Sequence, residues 1–142
     1  MIAQLPRFEM QLPSNPQSIA IIDNLVEQLD DEMNLGEEML GNMLISLTEA
    51  VNNAIIHGNK LDEKKTVDLK MNLANDVLHF TVHDQGPGFD FNNIPDPTAE
   101  ENLEKEMGRG IFLIRHLADE VKYSDNGSTI EINFNLKNKV PG

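Results

Sequence analysis

Glu49 and Asn53 stand one helical turn apart, Asp84 opens the run Asp-Gln-Gly-Pro-Gly-Phe, and Gly108-Arg109-Gly110 precedes a helical pattern. A carboxylate and an amide at that spacing project from one helix face, where they can address a single ion and a single hydroxyl. The amide oxygen of Asn53 suits Mg²⁺, which keeps most of its water, and Glu49 can accept a proton from an attacking hydroxyl. Asp84, where the chain leaves a strand, can accept from an exocyclic amine, and Gly86 and Gly88 permit approaches that a Cβ would block. Free N–H groups at a helix N-terminus, with the charge of Arg109, can cradle phosphate oxygens. Proton acceptor, metal ligand, base acceptor and phosphate cradle are together the parts of a nucleotide site.

Each segment also has an ordinary explanation: a solvated helix face, a strand-to-loop turn, a loop-to-helix junction. His57 continues the Glu49 and Asn53 face, where it can equally hydrogen-bond the last carbonyls of its helix. Other patterns fail. A calcium loop lacks its alternating acids and distant Glu, and a dinucleotide fingerprint lacks both the preceding strand and, at Leu113, the third glycine. Histidines 57, 79, 83 and 116 have no zinc spacing, and His79 and His83 fit strand-surface positions.

The elements that must hold these residues follow from hydrophobic periodicity. Phe8, Met10 and Leu12 alternate as a strand, broken by Pro13-Ser14-Asn15-Pro16. Ile19, Ile22, Val26, Leu29 and Met33 mark a helix capped by Ser14 or Asn15 and ended before Gly36. A second helix runs from Glu37 to about His57 through Leu40, Leu44, Leu47, Val51 and Ile55, closed by Gly58-Asn59. Residues 65 to 73 and 77 to 83 alternate around the turn Asn75-Asp76 as a hairpin. The stretch 89 to 107 has no clear periodic face and is expected to be a mobile loop, of a length that is usually either disordered or a functional lid. Gly110 to Ala118 resumes helical spacing, and Val121, Tyr123, the turn Asp125-Asn126-Gly127, Ile130, Ile132 and Phe134 form a closing hairpin.

The chain has 142 residues, enough for one domain that buries roughly 70% of its unfolded surface. Its formal net charge of −13 disfavours direct contact with nucleic acid or anionic lipid and favours a basic protein partner. There is no cysteine, which fits a reducing compartment, so a cytoplasmic protein is expected. No secretory leader or bilayer-spanning run is read, and no membrane association is expected.

In order and spacing, Glu49-Ala-Val-Asn-Asn53-Ala-Ile-Ile-His57-Gly-Asn, Asp84-Gln-Gly-Pro-Gly-Phe-Asp90 and Gly108-Arg-Gly-Ile-Phe-Leu-Ile114 resemble the GHKL ATPases. That superfamily contains gyrase, heat-shock chaperone, histidine kinase and mismatch-repair ATPases. The nearest likeness is to the small bacterial anti-sigma factors that are serine protein kinases, over roughly residues 8 to 137. The resemblance implies an α+β fold, a two-layer α/β sandwich with helices on one face of a mixed, mostly antiparallel sheet, forming a single domain over 1–142. It implies ATP and Mg²⁺, with Glu49 as base, Asn53 as metal ligand and Asp84 as adenine acceptor. His57, Gly86, Gly88, Gly108, Arg109 and Gly110 frame the nucleotide, Thr129 reaches adenine through water, and about 91–107 forms an ATP lid.

The implied activity is phosphorylation of a serine on a small STAS-type anti-anti-sigma protein, combined with sequestration of a sigma factor, usually by a homodimer. The alternative is a partner-binding module in which ATP orders the lid with little transfer. A histidine kinase is disfavoured because no phospho-acceptor helix pair or box is present. Two departures from the pattern stand out: Glu106, beside Lys105, takes the place of an arginine found in some members, and Arg109 replaces an apolar residue.

Overall fold

The computed structural model describes residues 7–89 and 105–138. Along the chain run β1 (Arg7–Pro13), α1 (Ile19–Met33), α2 (Glu37–Asn53), β2 (Thr66–Ala74), β3 (Val77–His83), α3 (Lys105–Leu117), β4 (Glu120–Ser124) and β5 (Thr129–Asn135). The strands form one sheet in the order β1-β2-β3-β5-β4. Every pairing is antiparallel, so among the described residues the sheet is wholly rather than mostly antiparallel. The expected ATP lid lies outside the described residues except for its last three, which belong to the first turn of α3.

Strand alternation sends every second side chain to one face. Val67, Leu69 and Met71 of β2, Leu78, Phe80 and Val82 of β3, and Ile130, Ile132 and Phe134 of β5 are buried there. Onto them pack Ile22, Val26 and Leu29 of α1, Met43, Leu47 and Val51 of α2, and Ile114 of α3, giving one core between two layers. Phe80 and Phe134 meet edge to face at its centre, their rings 6.3 Å apart.

The opposite face is polar and internally bonded. His79 Nδ1 lies 2.8 Å from Asn133 Oδ1, and the Asn133 amide donates at 2.9 Å to Glu120 and to Glu131. His83 Nδ1 lies 2.6 Å from Thr129 Oγ1.

Local chemistry sets the element ends. Asn15 accepts from Gln17 N at 3.1 Å and caps a short turn led by Pro16 into α1. Asn34, left-handed at φ 52°, ends α1, and Asp30 Oδ1 takes the Leu35 N–H at 2.9 Å. Asn75 and Asp76 both adopt positive φ, 53° and 63°, as a two-residue hairpin turn of the primed type requires. Among the described residues, no helix is long and apolar enough to cross a membrane.

Candidate functional site

The second helix does not continue in α register to its end. After Asn53 the chain widens into a π turn over Ala54–Gly58, a departure that occurs mostly at functional sites. This turn contains His57 and delivers Asn59 into a buried socket. The Asn59 amide donates to Ser14 Oγ at 2.8 Å and to the Thr66 carbonyl at 3.0 Å, while its oxygen accepts from Gln85 N at 2.7 Å. Ser14 passes the chain of bonds to the Lys65 carbonyl at 2.7 Å. One side chain thereby ties the end of α2 to the entry of β2 and to the turn that follows β3.

Beside that socket, between α2, α3 and the strands β3, β5 and β4, lies a cavity of about 340 Å³. Its floor is a cross-strand row, Val82, Ile130 and Tyr123, paired in register across three strands. Its walls and roof include Asn53 and His57 from the α2 side, Met107 and Ile111 from α3, and Gly88, Phe89 and Ser128 from the loops. Asp84 closes one end. A flat apolar floor with a carboxylate at its edge suits a planar base bearing an amine.

Burial pushes the Asp84 carboxyl above the usual range, and the Gly86 N–H, His83 and Lys65 pull it partly back. The Gly86 N–H donates to Asp84 Oδ1 at 2.8 Å, and Asp84 N donates to the Ser128 carbonyl at 2.9 Å. Space here is rationed: a methyl group on Gly58 would strike the Asp84 carboxylate, and one on Gly86 would strike the Gly58 carbonyl. Gly88, at φ 83°, adopts a backbone conformation that L side chains resist, and lies against the Asn126 carbonyl. That carbonyl also accepts the Phe89 N–H at 2.8 Å.

Of the residues expected from the sequence, Asn53, His57, Asp84 and Gly88 line the cavity. Gly86 supports Asp84 from behind. Glu49 stands one turn from Asn53 but outside the cavity wall, covered by α3: a methyl on Gly110 would lie 2.8 Å from Glu49 Oε2 and 3.1 Å from Asn53 Nδ2. Burial alone pushes the Glu49 carboxyl up.

Three expectations change. Gly108 and Gly110 do not open a helix but lie inside α3, which begins at Lys105, because Met107 and Ile111 extend its apolar stripe by one turn. Their N–H groups therefore lie beyond the helix N-terminus expected to cradle phosphate. Arg109 is exposed on the outer side of the same helix. Thr129 points to the polar face, where its hydroxyl donates to Asp125 Oδ2 at 2.7 Å; the neighbour that lines the cavity is Ser128, whose hydroxyl donates to the Asp125 carbonyl at 2.8 Å. Strand alternation counted back from Ile132 and Ile130 reaches Ser128 and skips Thr129, so the signal was present. Lys60 and Tyr123 also shape the site and lie outside the three motifs, and Asn59, which ends the first motif, shapes it from its buried socket. Asn59 had only its role as a helix stop, and Tyr123 looked like any strand aromatic.

Fold and cavity together define a nucleotide-binding α/β sandwich. The chain belongs to the histidine kinase-like ATPase domain family, whose pattern is matched by residues 12–134. Among its relatives, the serine-protein kinase RsbW of Bacillus cereus (strain Q1) is 28% identical over 137 residues, covering 92% of this chain and 85% of that protein. RsbW of Oceanobacillus iheyensis is 27% identical over 124 residues, 83% of this chain and 78% of the relative. A crystal structure of RsbU and RsbW domains from Mycobacterium tuberculosis shares the fold at a TM-score of 0.62 and 16% identity. It matches 93% of this chain, which spans about a third, 32%, of that longer one.

Proposed function

We propose that the protein is an ATP-dependent serine kinase that also acts as an anti-sigma factor, phosphorylating a small anti-anti-sigma partner. The observation that carries this reading is that Asp84 and Asn53 line one cavity, with Glu49 one helical turn beyond its wall, in a chain whose relatives are named serine-protein kinases. In this reading adenine lies on the Val82, Ile130 and Tyr123 row, its amine donates to Asp84, and Ser128 supplies the neighbouring hydroxyl. The partner's serine oxygen attacks the γ-phosphorus, the bond to the ADP oxygen breaks, and the serine proton passes to Glu49.

The Asn53 amide on the cavity wall, with the Glu49 carboxylate one turn away, fits Mg²⁺, which takes few protein ligands beside phosphate oxygens and water. Among the described residues there is no group of three or more His, Cys, Asp or Glu side chains that could hold a metal alone, so the triphosphate would complete the set. The ion would offset charge on the phosphates. Glu49's raised proton affinity suits a base, because a carboxyl nearer neutrality holds the transferred proton better.

A second reading, in which ATP orders a partner-binding surface with little transfer, draws on Glu49 lying beneath α3. Labelled phosphate separates the two. Glu49→Gln should keep ATP affinity and lose about two orders of magnitude or more in transfer to the serine partner, the scale of removing a general base. Asn53→Ala should weaken Mg²⁺-dependent binding and transfer together. If wild-type protein transfers nothing to a cognate partner while ATP still tightens sigma-factor binding, the kinase reading falls and the module reading stands.

A further inference from the structure

Tyr123 sits where three parts of the molecule meet. Its ring ends the cavity floor beside Ile130. Phe89, the last described residue before the expected lid, packs against it edge to face with ring centroids 5.3 Å apart. From α3, the Arg115 guanidinium lies over the same ring, 5.9 Å from its centroid. Phe89 is itself pinned by its N–H to the Asn126 carbonyl at 2.8 Å, so it is fixed to the β4–β5 turn. Phe89 and Arg115, from two separate stretches of the chain, thus converge on one aromatic ring, and that ring also lines the cavity.

We propose that Tyr123 is a positioning residue that couples the base pocket to the seating of α3, the helix that covers Glu49. The proposal rests on the nucleotide reading above. A base stacked on the floor confines the ring. A confined ring holds Arg115, and with it the helix whose Gly110 packs on Glu49 and Asn53. The contacts that carry the coupling are made with the aromatic ring.

Tyr123 is the sole tyrosine in a chain without tryptophan, so tyrosine emission reports on this ring alone. Titrating wild-type protein with Mg-ATP should change tyrosine emission with the midpoint found by calorimetry, and should raise hydrogen-exchange protection over residues 111–117. Tyr123→Ala should bind ATP about tenfold more weakly, the scale of losing one stacking platform, and lose that added protection. Tyr123→Phe should retain both. Arg115→Gln leaves the floor intact, so its affinity should fall by no more than about threefold while the ATP-dependent protection still drops.

If Tyr123→Ala fails to fold, Arg115→Gln decides. Wild-type binding by calorimetry with unchanged tyrosine emission, or full protection of 111–117 in Arg115→Gln, overturns the coupling and leaves the nucleotide site standing. No heat from ATP in wild-type protein overturns the nucleotide site and the coupling with it.

Discussion

The cavity end at Asp84 and the helix contact at Glu49 are built by opposite means. Around Asp84 the parts are joined by backbone: Asp84 N to the Ser128 carbonyl, Phe89 N to the Asn126 carbonyl, Gln85 N to the buried Asn59 amide. Around Glu49, among the described residues, α3 rests on α2 by packing, with Gly110 against the Glu49 and Asn53 side chains. Backbone bonds between sheet strands and buried amides open only with large parts of the fold, whereas a helix seated by side chains can shift for less. The Asp84 end is thus held in place by the fold, whereas the Glu49 end depends on how α3 is seated.

The sharpest test sets one glycine against another. Gly86→Ala places a methyl against the Gly58 carbonyl, which is backbone and cannot swing away. It should cost about 1–3 kcal/mol of stability by overpacking and abolish measurable ATP binding. Gly110→Ala meets the far end of the flexible Glu49 side chain. Helix propensity offsets that contact by up to about 1 kcal/mol, so denaturant midpoints should stay near wild type while transfer slows more than binding. Equal losses in the two variants would erase the contrast.

Next in size is Asp84→Asn. Loss of a charged acceptor for the adenine amine should weaken ATP by roughly ten- to a hundredfold, the scale of a hydrogen bond to an ionised group, and blunt discrimination against GTP. Calorimetry with both nucleotides reads this directly.

A smaller effect follows from pH. Asp84 and Glu49 both have raised proton affinities in the folded chain. Between the ordinary carboxylate range and those raised values the folded state therefore binds more protons than the unfolded one. The stability that these two groups contribute is present at the acidic end and is lost as pH rises through the window. ATP affinity runs the other way: acidification should weaken it at a higher pH than an ordinary aspartate would dictate, and Asp84→Asn should flatten that dependence. Smallest is the pair Ser128→Ala and Thr129→Val: the first should cost a few-fold in affinity, and the second should leave affinity unchanged while freeing His83 and Asp125.

The same contrast governs what the sequence made legible. Helix and strand periodicity located the two layers, and Asn75-Asp76 located its hairpin, because each signal is local. The Asp84 turn was legible for the same reason. The first turn of α3 was not, since glycines read as punctuation, while the stripe that winds them into a helix depends on Met107 and Ile111 having a cavity to face. Asn59 was seen only as a helix stop. Its partners Ser14, Thr66 and Gln85 are remote in sequence, and no spacing rule joins them.

The π turn at Ala54–Gly58 carries a consequence for how this chain can change length. A π turn holds one residue more than the α turn it replaces. Deleting a single residue there would restore regular winding and turn everything after it by about 100° around the helix axis. Asn59 would then point away from its three partners, and the turn bearing Asp84 would lose its anchor although no residue of that turn had changed. Insertions and deletions should therefore be tolerated at the Asn75-Asp76 hairpin and refused between Asn53 and Asn59, so the segment behaves as a ruler whose length is as specific as its letters.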